Sequence, residues 1–325
     1  MEYFVVVNEY AKNGSAKQIW QTIHSELVTQ GVKFTYKKVN ENAVEVVKNF
    51  TLDLAEREKS KTVVLVVGGN GTLVDVLNGI KQAQRFDLPI GLVPAGIENG
   101  FAKAIGLSLN PVVALKQVIN TTDKIYYTIG TYQETLRNTQ GYFLNNFGIG
   151  MDAFITSIYN RKKKRKFFRR GFLPFLTSSI SAYYNQEPFS ATVRVSDSYS
   201  SDSYRFFKHV YIMNVANHPY FEGNVSLSPQ ANIKDKKLDL IVTENMNFIR
   251  FFMLIVSLYF HKQLNLKSFH RFKDDQIHLT IKSLEFLQID GEEHGSQYFD
   301  IFFKTTSYPF WFNLSSVPFK ERRKK

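Results

Sequence analysis

The stretch Val66-Val67-Gly68-Gly69-Asn70-Gly71-Thr72-Leu73 is the most informative part of this chain. Three glycines leave an apolar run that begins at Thr62 and enter a segment whose apolar residues repeat at helical spacing as far as Ile80. Glycine lets the backbone turn tightly and bring its N–H groups close to an anion, and a helix N-terminus adds partial positive charge. The loop lacks the Lys-Ser/Thr ending of a P-loop and the spacing of a dinucleotide fingerprint. It therefore predicts either a phosphate-binding loop or a plain glycine-rich turn.

The residues around this stretch alternate short apolar runs with helical patterns. The sequence predicts strands at residues 3–7, 33–39, 62–67 and 90–94, and helices at residues 16–30, 43–54 and 110–118. Continuous apolar strands separated by helices predict a parallel sheet that is covered on both faces. After about residue 125 the segments are short, rich in β-branched and aromatic residues, and divided by turn-forming residues, which predicts a β-rich domain.

This change in segment length and residue composition predicts the domain organisation. We expect an α/β domain over residues 1–128 and a β-rich domain over residues 129–295. The strands in residues 296–325 are expected to return to the first domain, ahead of a basic tail at its end.

The composition excludes some classes of site and favours an anionic partner. The 325 residues include no cysteine, which excludes a disulfide framework, a thiolate zinc site and a cysteine nucleophile. The formal net charge of +12 points to nucleic acid, a membrane surface or a phosphorylated ligand. No secretory signal is visible, and the longest apolar stretch, Phe251–Phe260, is about half of the ~20 residues that a spanning helix needs. We therefore expect a cytoplasmic protein that is peripheral at the inner membrane face.

Several further motifs accompany the glycine-rich stretch, in a defined order along the chain. They are Asn8 to Ser15, Asn78-Gly79-Ile80, Pro94-Ala95-Gly96-Ile97-Glu98-Asn99-Gly100-Phe101-Ala102, Asn146 to Ala153, Pro229 to Asp239, and Asp290-Gly291-Glu292. In these motifs the chain resembles the diacylglycerol kinase catalytic-domain family, which includes sphingosine kinases and bacterial lipid kinases. The resemblance runs from about residue 3 to residue 313, and NAD kinases and phosphofructokinases look like distant relatives.

The resemblance implies a fold, an activity and a set of nucleotide-binding residues. It implies a parallel α/β N-terminal domain, like that of phosphofructokinases and NAD kinases, for the nucleotide, and a β-rich, sandwich-like C-terminal domain for the lipid. The implied activity is an ATP- and Mg²⁺-dependent transfer of phosphate to a lipid hydroxyl, with diacylglycerol or a related lipid as acceptor. The residues implied to bind the nucleotide are Asn8, Lys12, Gly14, Ser15, Gly68, Gly69, Asn70, Gly71, Thr72, Leu73, Gly96 and Asn99.

The resemblance also implies a pair of catalytic carboxylates. Glu292 corresponds to the base that accepts the hydroxyl proton, and Asp290 precedes it by two residues. If residues 290–292 form an extended strand, both side chains point to the same side and share one cleft. The alternative is an acidic turn on a solvated surface.

A structural Mg²⁺ in relatives corresponds here to a loop with Asn232, Asp235 and Lys237, the last through its carbonyl oxygen. Hard cations prefer oxygen ligands, which Asp235 can supply. The family's Asp-Gly is Asp235-Lys236 in this chain, and the alternative is a solvated, lysine-rich loop.

Asn70 stands where the family has an aspartate that reaches nucleotide-bound Mg²⁺. Asparagine has a similar shape but brings no negative charge and cannot act as a base. The sequence therefore leaves a second function open: a nucleotide-binding, membrane-associated protein with weakened or lost catalysis. Glu98 or Asp75 could restore a carboxylate nearby.

The segment Arg161–Arg170 contains eight cations and two phenylalanines. This pattern favours docking to an anionic membrane, and the alternatives are nucleic-acid binding, which we do not expect, and a solvated helix face. Residues Phe248–Phe260 predict a core helix in preference to a lipid pocket. The sequence leaves a homodimer open.

Overall fold

The computed structural model describes residues 1–40, 42–163, 172–197, 200–220, 226–260 and 268–317. The chain forms two compact units. One comprises Met1–Tyr127 and Ser307–Lys325, and the other comprises Thr128–Thr306.

The first unit alternates strands and helices. Its elements are β1 (Glu2–Val7), α1 (Ala16–Thr29), β2 (Lys33–Lys38), α2 (Ala43–Asp53), β3 (Thr62–Gly68), α3 (Asn70–Gln82), β4 (Ile90–Pro94), α4 (Gly100–Ile105) and α5 (Pro111–Ile119). The strands lie in the order β2-β1-β3-β4 and all neighbouring pairs are parallel. The predicted α/β domain with a parallel sheet is confirmed.

Burial explains why the sequence of β3 is a continuous apolar run. All seven of its residues are buried, so both faces of the strand are covered. One side of α3 is buried through Leu73, Val76, Leu77 and Ile80, the spacing that the sequence shows. Because β1, β3 and β4 are parallel, their carboxyl ends at Val7, Gly68 and Pro94 lie at one edge of the sheet.

The second unit is dominated by antiparallel strands. Its elements are β5 (Ile125–Glu134), β6 (Thr139–Phe143), β7 (Asn146–Gly150), α6 (Met151–Lys163), α7 (Phe172–Asn185), β8 (Phe189–Asp197), β9 (Ser200–Ala216), β10 (Leu238–Glu244), α8 (Phe248–Tyr259), β11 (Phe269–Asp274), β12 (Gln276–Ile289) and β13 (Glu292–Phe310). The first residues of β5 and the last residues of β13 lie in the first unit. The pairs run β11-β10-β9-β7-β12-β13, and β8 pairs with both β9 and β12. The predicted β-rich domain is confirmed, and α6 and α7 are additions that the sequence patterns did not reveal.

Two hydrophobic clusters form the core of this unit. One lies among the strands and includes Phe147, Val215 and Phe303. The other lies among the three helices, with Tyr159 of α6, Phe175 of α7 and residues of α8 as members. The expectation of a core helix at Phe248–Phe260 therefore holds for one face of α8.

The return of the chain to the first unit occurs at the end of β13. This strand pairs antiparallel with β12 from Ile289↔Glu292 to Gln276↔Lys304, which keeps it in the second unit through Thr306. Its last residue, Phe310, then pairs in parallel with Ile90 of β4. The sequence placed this return at residue 296; the structure places it at Ser307 because β12 and β13 are longer than the alternating pattern indicated.

Candidate active site

Three loops of the first unit begin at the carboxyl ends of its central strands. Backbone hydrogen bonds continue the alignment of the strands into these loops: the Asn8 N–H donates to the Val67 carbonyl at 3.0 Å, and the Ala95 N–H donates to the Gly68 carbonyl at 2.8 Å. Ligands of open α/β sheets bind at this edge. The loop ends are therefore held side by side where a ligand is expected.

Asn8 connects the first loop to the start of α3. Its side-chain oxygen accepts hydrogen bonds from the backbone N–H groups of Tyr10 and Ala11, both at 3.1 Å, and so begins the short 3-10 helix Ala11–Gly14. Its side-chain nitrogen donates to the Thr72 hydroxyl at 3.0 Å. One amide therefore uses both of its ends to fix two loops relative to each other.

Gly69 and Gly96 bring the second and third loops into backbone contact. A Cβ atom on Gly96 would lie 2.5 Å from the Cα of Gly69, and one on Gly69 would lie 3.1 Å from the Cα of Gly96. Any side chain at Gly96 would therefore force the two backbones apart. These glycines are required by the close approach of the loops, a reason that the sequence alone did not reveal.

The N-terminus of α3 lies between these loops. Asn70, Gly71 and Thr72 form its first turn, and the N–H groups of a first turn have no acceptor within the helix. Together with the helix dipole they favour an anion. Leu73 differs from the other predicted residues, because its side chain is buried in the core and its N–H donates to the Gly69 carbonyl at 3.1 Å.

Asn99 shapes the third loop. It has a left-handed backbone with φ of 48°, and its side chain both accepts from the Gly96 N–H at 3.1 Å and donates to the Gly96 carbonyl at 3.2 Å. The side-chain oxygen of Asn70 accepts from the Phe101 N–H at 3.4 Å, which links the starts of α3 and α4.

The remaining nucleotide-binding candidates are also in the first unit. Gly68 is the last residue of β3. Gly14 has φ of 86° and ends the 3-10 helix, and Ser15 directly precedes α1. Lys12 is part of the 3-10 helix, but its side chain lies outside the described structure.

Asp290 and Glu292 do not share one side of a strand, so that expectation is wrong. Asp290 and Gly291 form a two-residue turn with φ of 53° and 88°, and Ile289 pairs with Glu292 across it. Asp-Gly between strands is a strong hairpin signal, and the turn is the alternative that the sequence left open. Glu292 is exposed as the first residue of β13, whereas Asp290 is buried.

The Asp290 carboxylate holds the chain that precedes β7. It accepts backbone hydrogen bonds from Leu144 at 2.8 Å, Asn145 at 2.6 Å and Asn146 at 3.0 Å. Burial raises the pKa of Asp290 to about 7, against the lowering effect of these three donors. Asp290 is therefore a positioning residue for the turn that carries Glu292.

The far side of the same turn is held by two amide side chains. The Gly291 N–H donates to the side-chain oxygen of Gln288 at 2.9 Å, and the Asn160 amide donates to the Gly291 carbonyl at 2.9 Å. The backbone directly before Glu292 is thus fixed by contacts from β12 and α6.

A buried polar cluster explains the motif that runs from Asn146 to Asp152. The Asp152 carboxylate accepts hydrogen bonds from Asn214 at 2.7 Å and Gln288 at 3.2 Å, and Gln288 also donates to Asn146. A Cβ atom on Gly148 would lie 1.7 Å from an Asp152 carboxylate oxygen, so glycine is required there. The sequence alone indicated no chemistry for Asn146 and Asp152 and favoured a role in packing or at a domain junction. Their role is to connect β7, α6, β9 and β12.

In the loop predicted to hold a structural Mg²⁺, the polar side chains have partners within the protein. The loop's one carboxylate, Asp235, forms an ion pair with the Lys273 ammonium, and the side-chain oxygen of Asn232 accepts the Lys234 N–H at 3.1 Å. Lys237 leads directly into β10. Within the described ranges, no three or more His, Asp or Glu side chains are grouped so that they could hold a metal ion. The Asn232, Asp235 and Lys237 site therefore stays a prediction, and in this structure its carboxylate is paired with Lys273.

The described helices include none that is long and apolar enough to cross a membrane.

Comparisons with other proteins agree with this architecture. Residues 2–127 match the family model described as the diacylglycerol kinase catalytic domain, and residues 146–301 match the YegS C-terminal NAD kinase beta sandwich-like domain. The chain is 25% identical over 300 residues to YtlR of Bacillus subtilis (strain 168), which is provisionally named a lipid kinase; the match covers 90% of this chain and 94% of YtlR. A protein of Staphylococcus carnosus (strain TM300) with the same provisional name is 23% identical over 82% of this chain and 83% of its own length.

Solved structures show the same fold. Two solved structures from Bacillus anthracis str. Sterne, both provisionally titled diacylglycerol kinase, superpose with TM-scores of 0.70 and 0.68 at 18% and 17% identity. Each superposition covers 97% of this chain and 98% of the other. Both family models are matched in order, and the predicted motifs lie at the loops described above; residues 2–127 of this chain therefore belong to the diacylglycerol kinase catalytic-domain family, and residues 146–301 to the YegS C-terminal domain family.

Proposed function

We propose that this protein transfers the γ-phosphoryl group of ATP to the hydroxyl of a lipid, with diacylglycerol or a related lipid as acceptor. In this reaction the lipid oxygen bonds to the γ-phosphorus, and the bond from that phosphorus to the β–γ bridging oxygen breaks. ADP leaves, and the hydroxyl proton passes to a carboxylate of the protein. Family membership and the provisional lipid kinase names of its relatives support the reaction class.

The convergence of three loops on the start of α3 is the observation that carries the proposal. Asn8 donates to Thr72, and Gly69 meets Gly96 so closely that no side chain fits between them. The loops therefore surround first-turn N–H groups that are suited to a polyphosphate. Mg²⁺ bound with ATP would neutralise phosphate charge, and the Asn70 side-chain oxygen, which accepts one long hydrogen bond and has a second lone pair, is the ligand that we propose for it.

Glu292 is the group that we propose as the proton acceptor. It is exposed at the start of β13, and the turn before it is fixed by Asp290 on one side and by Gln288 and Asn160 on the other. A base must keep its position while it accepts a proton, which such a turn favours. Asp290 acts on the reaction only by positioning this turn.

A second candidate function is nucleotide binding at a membrane with weakened or lost catalysis. Asn70 favours it, because this side chain supplies an amide where the family has a carboxylate. The cradle of backbone N–H groups does not depend on that carboxylate, so ATP binding survives in both functions.

We also propose that the protein reaches its lipid as a peripheral membrane protein, with the basic segment Arg161–Arg170 at the anionic headgroups. Each cation near such a surface contributes about 1 kcal/mol. Only Arg161–Lys163 of this segment lie within the described part of α6; the other residues are outside it.

The test is incubation of the protein with γ-labelled ATP, Mg²⁺ and a panel of lipids. Wild type should label a lipid, and Glu292→Gln should reduce the rate by at least about 100-fold, since an acid–base group contributes 10² to 10⁴. Glu293→Gln, an exposed neighbour on the same strand, is the matched control and should retain the rate. Absence of label from every lipid would refute the kinase function, and full activity of Glu292→Gln would refute the base.

A further inference from the structure

Helix α8 has large apolar side chains on its exposed side as well as on its buried side. Phe251, Leu254, Ile255 and Leu258 are buried in the helical core of the second unit. The opposite face is exposed: Ile249 is 68% exposed, Met253 45% and Phe252 40%. A helix that is hydrophobic all round is normally buried in a core or a membrane, so the exposed face of α8 lacks its apolar partner in this chain's described structure.

The exposed face extends onto α7. The Phe248 ring lies 5.6 Å from the ring of Tyr184, which is 70% exposed, and 6.4 Å from the ring of Phe252. Ile249 and Met253 are four residues apart on α8, as are Phe248 and Phe252, so these side chains are neighbours on the helix surface. We call the exposed side chains of Tyr184, Phe248, Ile249, Phe252 and Met253 the apolar face.

The charges around the apolar face match an anionic surface. Helices α7 and α8 contain no Asp or Glu, and their single charged residue is Arg250, which is exposed next to Ile249. The whole chain carries a net charge of +12. Aromatic side chains favour the boundary between headgroups and acyl chains, and an arginine beside them attracts anionic lipid.

From this surface we infer that the apolar face of α8 and α7 inserts into the headgroup–acyl boundary of a bilayer that contains anionic lipid. The 12 residues of α8 are too short to span a bilayer, which requires about 20, so the helix lies parallel to the surface. The inference deepens the proposed function, because a lipid kinase has to reach an acceptor that resides in a bilayer. It assigns the docking role to described side chains outside the segment Arg161–Arg170.

The absence of cysteine from the chain allows a direct test. In Ile249→Cys, labelled with an environment-sensitive fluorophore, emission should rise and shift to the blue when phosphatidylcholine–phosphatidylglycerol vesicles are added. Leu284→Cys, at an exposed position of β12 in the same unit, is the control and should not respond. An unchanged spectrum at position 249 would overturn the inference.

Two double variants test how much the apolar face contributes to vesicle binding. Ile249→Glu with Phe252→Glu should weaken sedimentation with these vesicles by at least about tenfold, because each lost apolar insertion exceeds that factor. The matched control is Leu284→Glu with Phe206→Glu, which adds the same charge at exposed apolar positions of β12 and β9 and should bind like wild type. Equal binding by both doubles would overturn the inference. It would also be overturned if wild type ignored vesicles and formed a dimer that only the first double disrupts.

An activity measurement separates this inference from the proposed function. The Ile249→Glu, Phe252→Glu double should lose phosphorylation of diacylglycerol in vesicles but keep phosphorylation of a short-chain diacylglycerol that is dissolved as a monomer. Equal loss on both substrates would overturn the docking role. If wild type phosphorylates neither substrate, the kinase function fails, and vesicle binding still tests the apolar face.

Discussion

The side-chain nitrogen of Asn8 donates a hydrogen bond to the hydroxyl of Thr72 at 3.0 Å, although the two residues are 64 positions apart. This contact joins the loop after β1 to the first turn of α3. Through this contact the loop after β1 becomes part of the same candidate site as the loop after β3. The candidate phosphate site therefore depends on the whole edge of the sheet and not on the glycine-rich stretch alone.

Asn8→Ala should weaken the binding of Mg-ATP by about tenfold, which is the order expected when a positioning hydrogen bond and a loop cap are lost together. Asn110→Ala is the matched control. The Asn110 side-chain oxygen caps α5 by accepting from Val112 and Val113, which is the same type of cap in the same unit. Both variants should lose about 1 kcal/mol of unfolding free energy. Calorimetric titration should show reduced affinity only for Asn8→Ala, and equal affinities would contradict the role of Asn8.

Gly96→Ala should destabilise the first unit by about 1–3 kcal/mol, the usual cost of overpacking, and should abolish ATP binding. The added methyl group would lie 2.5 Å from the Gly69 Cα and 2.7 Å from the Asn99 side-chain oxygen. Gly295→Ala introduces a methyl group at an exposed glycine with φ of 73° and no atom within 4 Å. It should cost about 1–2 kcal/mol through backbone strain and leave ATP affinity unchanged. Denaturant unfolding and calorimetry measure the two effects; wild-type ATP affinity in Gly96→Ala would refute the loop contact as part of the site.

Asn70→Asp should increase the rate of lipid phosphorylation by about tenfold or more, because it restores a negative ligand for the nucleotide's Mg²⁺. The same carboxylate should weaken ATP binding when Mg²⁺ is absent, since it then faces phosphate without a neutralising ion. Steady-state rates and ATP titrations with and without Mg²⁺ measure both effects. Wild-type turnover at about 1–100 s⁻¹, the usual kinase range, with no gain from Asn70→Asp would show that the asparagine is not a defect.

The pKa of Asp290 predicts a pH dependence of stability. Burial raises this pKa from 3.8 to about 7, so between these values the folded state holds a proton that the unfolded state has lost. The contribution of Asp290 to stability is therefore full below pH 3.8 and is lost as the pH rises to 7. The difference in unfolding free energy between wild type and Asp290→Asn should fall by up to about 1.4 kcal/mol per pH unit in this window.

The contribution of His218 to stability depends on pH in the opposite direction. The comparison of wild type with Asp290→Asn must therefore cancel that contribution. Burial lowers the pKa of His218 to about 3, so it costs stability as the pH falls below 6.5. Because His218 is present in both proteins, its effect cancels in the difference between wild type and Asp290→Asn. Urea unfolding from pH 4 to 8 measures that difference, and a constant value across the range would refute the buried, proton-binding role of Asp290.

Much of the fold was predictable because its signals are local. The apolar run of β3 and the helical spacing of Leu73 and Ile80 reflect burial of neighbouring residues, so the parallel sheet of the first unit follows from them. The β-rich second unit follows in the same way. Helices α6 and α7 were missed because their buried residues face each other and β9, and their polar and basic residues weaken the periodic pattern.

The candidate site was predictable in composition but not in contacts. The motifs indicated Asn8, Gly69 and Gly96 as candidate site residues. The contacts Asn8–Thr72 and Gly69–Gly96 join distant segments, which spacing does not reveal. Asp290 was placed incorrectly because the pairing of β12 with β13 converts an extended segment into a turn. The ion pair of Asp235 with Lys273 was equally hidden, since it joins a loop to a strand 38 residues later.

The central claim is that backbone N–H groups of Gly69, Asn70, Gly71 and Thr72 hold the phosphates of ATP. The most direct test is to follow the amide resonances of these residues in ¹⁵N-labelled protein during titration with Mg-ATP. We predict large, saturable shifts at these four amides and at Asn8, and none at amides of the Asn232–Asp235 loop. Saturable ATP binding that leaves the four amides unmoved would contradict the account.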